Sequence, residues 1–425
     1  MDPAKGPNKG KPMESNMSSE PSGSSKPSGP LAGLVVFDLT RVLAGPSCVQ
    51  MLGDLGADVI KIEKPGAGDD TRGFAPPFMS GTTESAYFVG VNRNKRSVTL
   101  DIATPEGQAI ALELIAGSDI LVENFKVGAL AKYGLGYEQL RERFPSLVYC
   151  SITGFGQTGP YAPRPGYDSL IQAMGGVMSL TGEPDGLPQK VGVPVADLFA
   201  GLYGCIGVLA ALRHREATGQ GQQVDIGMLD TNVAWLANQG MNYLATGENP
   251  ERLGNQHPNI VPYQVFPTSD GYVVLSVGND PTFKRFCDGF GLSHLLSDPR
   301  FATNAARVGN RQLVTDTLTP VMRQHTTSWW VGQLEAIKVG CGPINTLDQV
   351  FADPQVQARG MVMTMPHPST AEGVKVIANP VRLSETPVDY RRASPTLGQH
   401  TDEVLAERLG YSPDHLAGLR GKGVI

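Results

Sequence analysis

Hydrophobic positions along the chain change character at about residue 31. Residues 1–30 contain no aromatic and no β-branched side chain, so they bury too little apolar surface to offset chain entropy and read as a disordered tail. Beyond them, short apolar runs alternate with helical periods. Leu34–Leu39 reads as a strand, Cys48–Leu55 as a helix and Asp58–Glu63 as a strand. Ser97–Ile102, Asp119–Glu123 and Leu147–Thr153 follow as strands, with a helix begun by Thr104-Pro-Glu-Gly between the first two. Strand–helix alternation predicts an α/β fold with a parallel, doubly wound sheet. Residues 154–196 read as loop, Asp197–Arg215 as one apolar helix with glycines at 201, 204 and 207, Gln223–Met228 as a strand, and the next stretch as a helix through Trp235 and Leu244. From 250 the pattern shifts to a hairpin, Gln264–Thr268 with Tyr272–Val277, and three helices, which predicts a smaller α+β domain. The expected division is a tail over 1–30, a large domain over 31–230, a linker helix and small domain over 231–340, and a return to the large domain over 341–425.

Length and composition narrow the class. The 425 residues suit two or three domains. With 51 Gly and 33 Pro, about a fifth of the chain is turn-forming, below the ~25–30% of low-complexity sequence. A net charge of −6 supplies no cationic field for a phosphate backbone or an anionic bilayer, so neither nucleic acid nor membrane is an expected partner. Five scattered cysteines without a C-x-x-C pair suit buried thiols in a reducing compartment, and no run approaches ~20 apolar residues, so the expected setting is the cytoplasm.

Gly154-Phe-Gly-Gln-Thr-Gly159 has the dinucleotide-binding spacing, but Pro160, Pro163 and Pro165 forbid the helix on which a pyrophosphate would sit. Dispersed histidines offer no metal-ligand spacing, so no metal site is expected, and no nucleophile elbow or P-loop occurs. Asp197 stands where an extended apolar run meets the apolar helix, a position that suits a helix N-cap or a reactive carboxylate. Asp168 in Gly166-Tyr-Asp-Ser has the same ambiguity. Arg41, Lys61, Lys64, Arg72, Arg93, Lys95, Arg96, Lys126 and Lys132 fall mostly beyond the carboxyl ends of predicted strands, where open α/β sheets bind ligands; together they would suit a polyphosphate.

Several segments, in order, resemble the family III CoA-transferases, also called the CaiB/BaiF family. They include Asp38-Leu-Thr-Arg-Val-Leu-Ala-Gly-Pro46, Leu55-Gly-Ala-Asp-Val-Ile-Lys-Ile-Glu-Lys-Pro-Gly66, Asn92-Arg-Asn-Lys-Arg-Ser97, Val122-Glu-Asn-Phe125, Gly166-Tyr-Asp168, Ala196-Asp197, Thr218-Gly-Gln-Gly221 and Leu397-Gly-Gln-His-Thr401. The resemblance implies a Rossmann-like large domain, a smaller domain and an interlocked homodimer. It places the catalytic nucleophile on Asp197. It carries coenzyme A contacts to Leu43, Ala44, Lys64, Leu100, Asp101, Ile102, Ala103, Asn124, Phe125, Lys126, Lys132, Tyr167 and Asp168, with acyl-CoA as substrate and no permanently bound cofactor. Lys64 and Lys132 stand where the family frequently has arginine, which keeps charge and loses bidentate geometry.

The implied reaction passes through an aspartyl anhydride and an aspartyl-CoA thioester. The related 2-methylacyl-CoA racemases carry histidine where Tyr167 stands; a phenol with a pKa of ~10 is a poor base at neutral pH, which favours transfer. A non-catalytic CoA-binding protein is the remaining alternative. The glycine tetrad of the oxalate-type enzymes has no counterpart, with Gly278-Asn-Asp280 the nearest loop. Arg252-Leu-Gly-Asn-Gln-His257 and Gly68-Asp-Asp-Thr-Arg72 look most like the succinyl-CoA:glutarate and related dicarboxylate enzymes. A dicarboxylate needs a cation for its second carboxylate, and Arg41, Arg72 and Arg252 are the candidates.

Overall fold

A computed structural model describes residues 28–425. The expected tail therefore lies outside the described residues up to residue 27. Its end is held on the domain: Ser28 Oγ donates to Asp389 (3.2 Å), and the next segment begins with the Leu31 N–H donating to Leu55 O (2.9 Å). Gly29, with φ +118°, has no room for a Cβ, which would stand 2.4 Å from Leu55 O.

The frame is a six-stranded parallel sheet of β1 (Val35–Asp38), β2 (Asp58–Glu63), β3 (Lys95–Thr99), β4 (Ile120–Glu123), β5 (Val148–Thr153) and β6 (Gln223–Gly227), in the order β3-β2-β1-β4-β5-β6. The order reverses between β1 and β4, the place where a doubly wound sheet opens a crevice for ligands. Alternate strand residues feed two cores. Val35, Phe37, Ile60, Ile62, Leu121 and Tyr149 pack on one face, and Val36, Val59, Ile120, Val122, Cys150 and Ile152 on the other.

Helices α1 (Ala44–Asp54), α2 (Ala86–Gly90), α3 (Pro105–Ala116) and α4 (Tyr137–Arg143) connect the first five strands. As Thr104-Pro-Glu-Gly predicts, α3 starts with Thr104 as N-cap, its hydroxyl accepting from Gly107 N (3.0 Å). The stretch read as loop contains two short helices, α5 (Asp168–Met174) and α6 (Val177–Leu180), before α7 (Val195–Thr218). They escape the periodicity because each is too short to show a stripe. The helix expected through Trp235 and Leu244 is two, α8 (Met228–Ala234) and α9 (Ala237–Thr246), broken where Ala237 takes φ +47°.

Helix α7 is 24 residues long with a mean hydropathy of 1.9 over its most apolar window, long and apolar enough to cross a bilayer. Here it is a core helix: it lies on β5, β6 and α1, with Ala200, Gly201, Gly204, Cys205 and Val208 buried. Gly201 makes the approach to α1 possible, since a Cβ there would stand 2.2 Å from Ser47 Oγ and 2.7 Å from Ala44 O.

A three-stranded antiparallel sheet, β7 (Tyr263–Pro267), β8 (Tyr272–Ser276) and β9 (Gly340–Pro343), carries its own core of Phe266, Val273, Leu275, Phe283, Phe286, Leu318 and Trp330. Because β9 pairs with β8, the chain leaves this sheet only after Pro343. A hairpin, β10 (Val362–His367) with β11 (Thr370–Ile377), packs on Val89. Beyond it Asp54 gathers Arg93, Asn94 and Asn379, and the helix Thr401–Leu409 returns against β3 and α3.

Candidate active site

Asp197 is the third residue of α7, whose N-cap is Pro194. It therefore does not cap the helix, and its carboxylate accepts no hydrogen bond among the described residues. The cap comes from across the loop: Asp168 Oδ1 accepts the Ala196 N–H (2.9 Å) and Oδ2 accepts from Gln172 Nε2 (2.7 Å), while Gln172 Oε1 takes the Val191 N–H (2.9 Å). Proline offers no side-chain acceptor, so an orphan helix donor takes a carboxylate 28 residues away. Burial, and then the neighbouring Asp168 charge, push the Asp197 carboxyl up to about 7. The helix N-terminus favours the ionised form, so the group is poised near neutrality.

One aromatic neighbour has no signal in the sequence. Burial first, and then the charges of Asp197, Asp168 and Asp69, push the Tyr87 phenol up, and its ring packs edge-on against Phe74 at 5.6 Å. Tyr87 thus stands in the field of the same carboxylates.

Beside this centre the β1–α1 loop is held from two sides. Val42 has φ +69°, a costly conformation for a β-branched residue. Asp69 Oδ1 accepts its N–H (3.2 Å), and Asn124 clamps Arg41 through both backbone groups, accepting from its N–H (2.8 Å) and donating to its carbonyl (2.6 Å). Asp69 is itself paired with Lys61 (3.0 Å), and both side chains are fully buried. Burial opposes the Lys61 charge, but Asp38, Asp69 and Glu63 outweigh it and hold its pKa above the usual range. Lys95, also buried, lies 3.3 Å from Asp38 and donates to Pro46 O and Asn92; burial brings it down to about 8.

The ends of β1, β2, β3 and β4 enclose a cleft of about 430 Å³. It brings together Arg41, Lys64, Leu100, Asp101, Ile102, Ala103 and Phe125 of the expected coenzyme A and substrate set, together with Gly68 and Tyr133. Lys132, exposed, sits over the Tyr133 ring at 4.6 Å. Leu43 and Ala44 are buried at the start of α1, against α7 at Gly201. Tyr167, 68% exposed, precedes Asp168 at the start of α5. Asn124 spends its amide on Arg41, and Lys126 turns to a neighbouring cavity of about 340 Å³ that also contains Glu123.

The basic set divides sharply. Lys61, Arg93, Lys95 and Arg96 are buried and paired with Asp69, Asp54, Asp38 and Asp58, so they cannot reach a phosphate; Lys64, Lys126 and Lys132 stay exposed. Of the arginines considered for a second carboxylate, Arg72 grips Glu63 twice (2.8 and 2.7 Å), donates to Pro395 O (3.1 Å) and covers the Phe88 ring at 3.7 Å. Arg252 donates to the carbonyls of Glu183, Pro184 and Gly186. Among the described residues the Arg41 side chain holds only the exposed Asp70 (3.2 Å) and lies 5.0 Å over Phe125 at the mouth of the cleft. Among the described residues no cluster of His, Cys, Asp or Glu could hold a metal ion.

Residues 31–401 match the family model described as CoA-transferase family III. The chain is 49% identical over 388 residues to a succinate–glutarate CoA-transferase of Agrobacterium fabrum, covering 89% of this chain and 95% of that protein. It is 43% identical over 396 residues to the succinyl-CoA:glutarate CoA-transferase of Homo sapiens, covering 93% and 90%. The crystal structure of a CaiB/BaiF family protein from Brucella suis matches with a TM-score of 0.80 at 49% identity, covering 90% of this chain and all of that one.

Proposed function

This chain belongs to CoA-transferase family III, and we propose that it moves coenzyme A between succinyl-CoA and a small dicarboxylic acid, with Asp197 as nucleophile. The observation that carries the assignment is a partly buried carboxyl poised at about 7 at the start of α7, beside the loop that walls the strand-end cleft. Ionised Asp197 attacks the thioester carbonyl of the donor, the C–S bond breaks, and a mixed anhydride and free CoA thiolate result. The thiolate attacks the Asp197 acyl carbon and releases the donor acid, leaving an aspartyl-CoA thioester. The acceptor carboxylate attacks that thioester to give a second anhydride. The returning thiolate then takes the acceptor's acyl group and frees Asp197.

The residues divide the work. The cleft lined by Leu100–Ala103, Phe125 and Lys64 suits the coenzyme, with Lys132 at its edge. Asp168 caps α7 and, through its charge, keeps Asp197 a stronger base than an ordinary aspartate. Arg41 is the cation available to an acceptor's second carboxylate. A Rossmann-like large domain and a homodimer belong to the same reading. Leu202, Tyr203, Ile206 and Leu209 on α7 and Met241 and Leu244 on α9 are exposed, an apolar surface that a second copy would cover. Five free thiols, four of them buried, suit a cytoplasmic setting.

Mixing the enzyme with succinyl-CoA and trapping with hydroxylamine or borohydride is expected to modify the peptide that contains Asp197. An unmodified Asp197, or full activity in Asp197→Ala, would overturn the assignment. A panel of dicarboxylates with succinyl-CoA, read by product mass, identifies the acceptor.

A further inference from the structure

We infer that Glu123 is a positioning residue of the coenzyme cleft, holding the Asn124–Lys126 segment through the Phe125 N–H and loosening that hold on taking up a proton. The inference rests on the CoA-transferase reading. Glu123 ends β4 next to the point where the strand order reverses, is 5% exposed, and is paired across the ladder with Ser151 of β5. Its Oε2 accepts the Phe125 N–H at 2.8 Å. Phe125 in turn lines the cleft and carries Arg41 over its ring, while Asn124 grips the Arg41 backbone. A single buried carboxyl thus anchors from below the loop whose upper surface faces the cleft.

The surroundings leave this carboxyl little compensation for its charge. Burial pushes it up to about 7 even though the Ser151 hydroxyl and the Phe125 N–H pull it down, and Asp225 adds repulsion. The adjoining cavity presents Lys126, which is exposed, Glu138, paired with Arg141 on the surface, and the Tyr137 and Tyr149 rings. Gln157 lines the same cavity, and its Nε2 is buried without a partner among the described residues. A carboxylate accepts an N–H bond about twice as strongly as a neutral group does, so protonation weakens the anchor without removing it.

The test is equilibrium binding of free CoA to the full chain at pH 6 and pH 8, for the wild type, E123Q and E123A. Wild type is expected to bind about fivefold more tightly at pH 8, the difference between a charge-assisted and a neutral hydrogen bond. E123Q keeps a neutral acceptor and should bind at both pH values close to the wild-type affinity of pH 6, with the loss relative to wild type at pH 8 appearing in KM for acyl-CoA and in kcat/KM. E123A, with no acceptor, should bind roughly tenfold more weakly than wild type at pH 8. If E123A fails to fold, E123Q alone decides. Retention of the wild-type pH slope by E123Q, or equal affinity in all soluble forms, would overturn the inference. Failure of every form to bind CoA at either pH would instead overturn the CoA-transferase reading.

Discussion

The pH dependence of the first chemical step follows from the setting of Asp197. Only its carboxylate form attacks a thioester, and burial together with Asp168 brings its pKa up to about 7. At pH 8 about nine-tenths of the enzyme is then ionised there, at pH 6 about one-tenth, and at pH 5 about one-hundredth. The rate of acyl transfer onto Asp197 should therefore rise roughly 90-fold between pH 5 and pH 8, whereas an aspartate with an ordinary pKa would change by about a tenth over the same range. Single-turnover measurement at saturating acyl-CoA isolates this step from coenzyme affinity, and so from Glu123. Asp168→Asn removes the like charge while its amide oxygen still accepts the Ala196 N–H, so the acidic limb should move to lower pH with α7 still capped. A rate flat between pH 5 and pH 8, or a limb that stays in place in Asp168→Asn, would refute the argument that burial and Asp168 tune this carboxyl.

The same shift has a sign for stability. A carboxyl whose folded pKa exceeds its unfolded value destabilises the fold once ionised, so the penalty develops as pH rises from about 4 towards 7 and is full above that; thermal melting should show Asp197→Asn more stable than wild type at pH 8, with the gain vanishing towards pH 4. Lys61→Met leaves Asp69 charged and unpaired with both sites fully buried, which should cost about 3–5 kcal/mol by denaturant titration. A loss below about 1 kcal/mol would mean that water reaches Asp69. Gly201→Ala drives a Cβ to within 2.7 Å of Ala44 O; overpacking should cost about 1–3 kcal/mol and reduce kcat by pushing α1 away from α7, the helix that carries Asp197. Arg41→Ala should raise KM about tenfold for a dicarboxylate acceptor and leave a monocarboxylate acceptor unchanged; equal changes for both would remove Arg41 from that role.

Sequence alone was enough for the alternation of strands and helices, for the start of α3 at Thr104, and for an apolar helix around Asp197, although that helix starts two residues earlier, at Val195, and is not capped by Asp197. These features are local, set by side-chain periodicity and capping chemistry within a few residues. The same motif order was also sufficient to identify the family. What the sequence could not decide was the state of each charged group. Lys61 and Lys64 are three residues apart and both border the cleft, yet one is fully buried and paired with Asp69 while the other is exposed. Arg93 is occupied by Asp54, 39 positions away, and Arg72 reaches Pro395, 323 positions on. Asp168, ambiguous as a local cap, serves a helix that begins 27 residues later, and Glu123 shows its part only once β5 and the Phe125 N–H close over it. Charge, pKa and reactivity depend on burial and on partners that only the folded chain brings within hydrogen-bond distance, which is why the tertiary structure, and not the spacing of residues, divides this protein's cations into those that hold loops in place and those that can meet a substrate.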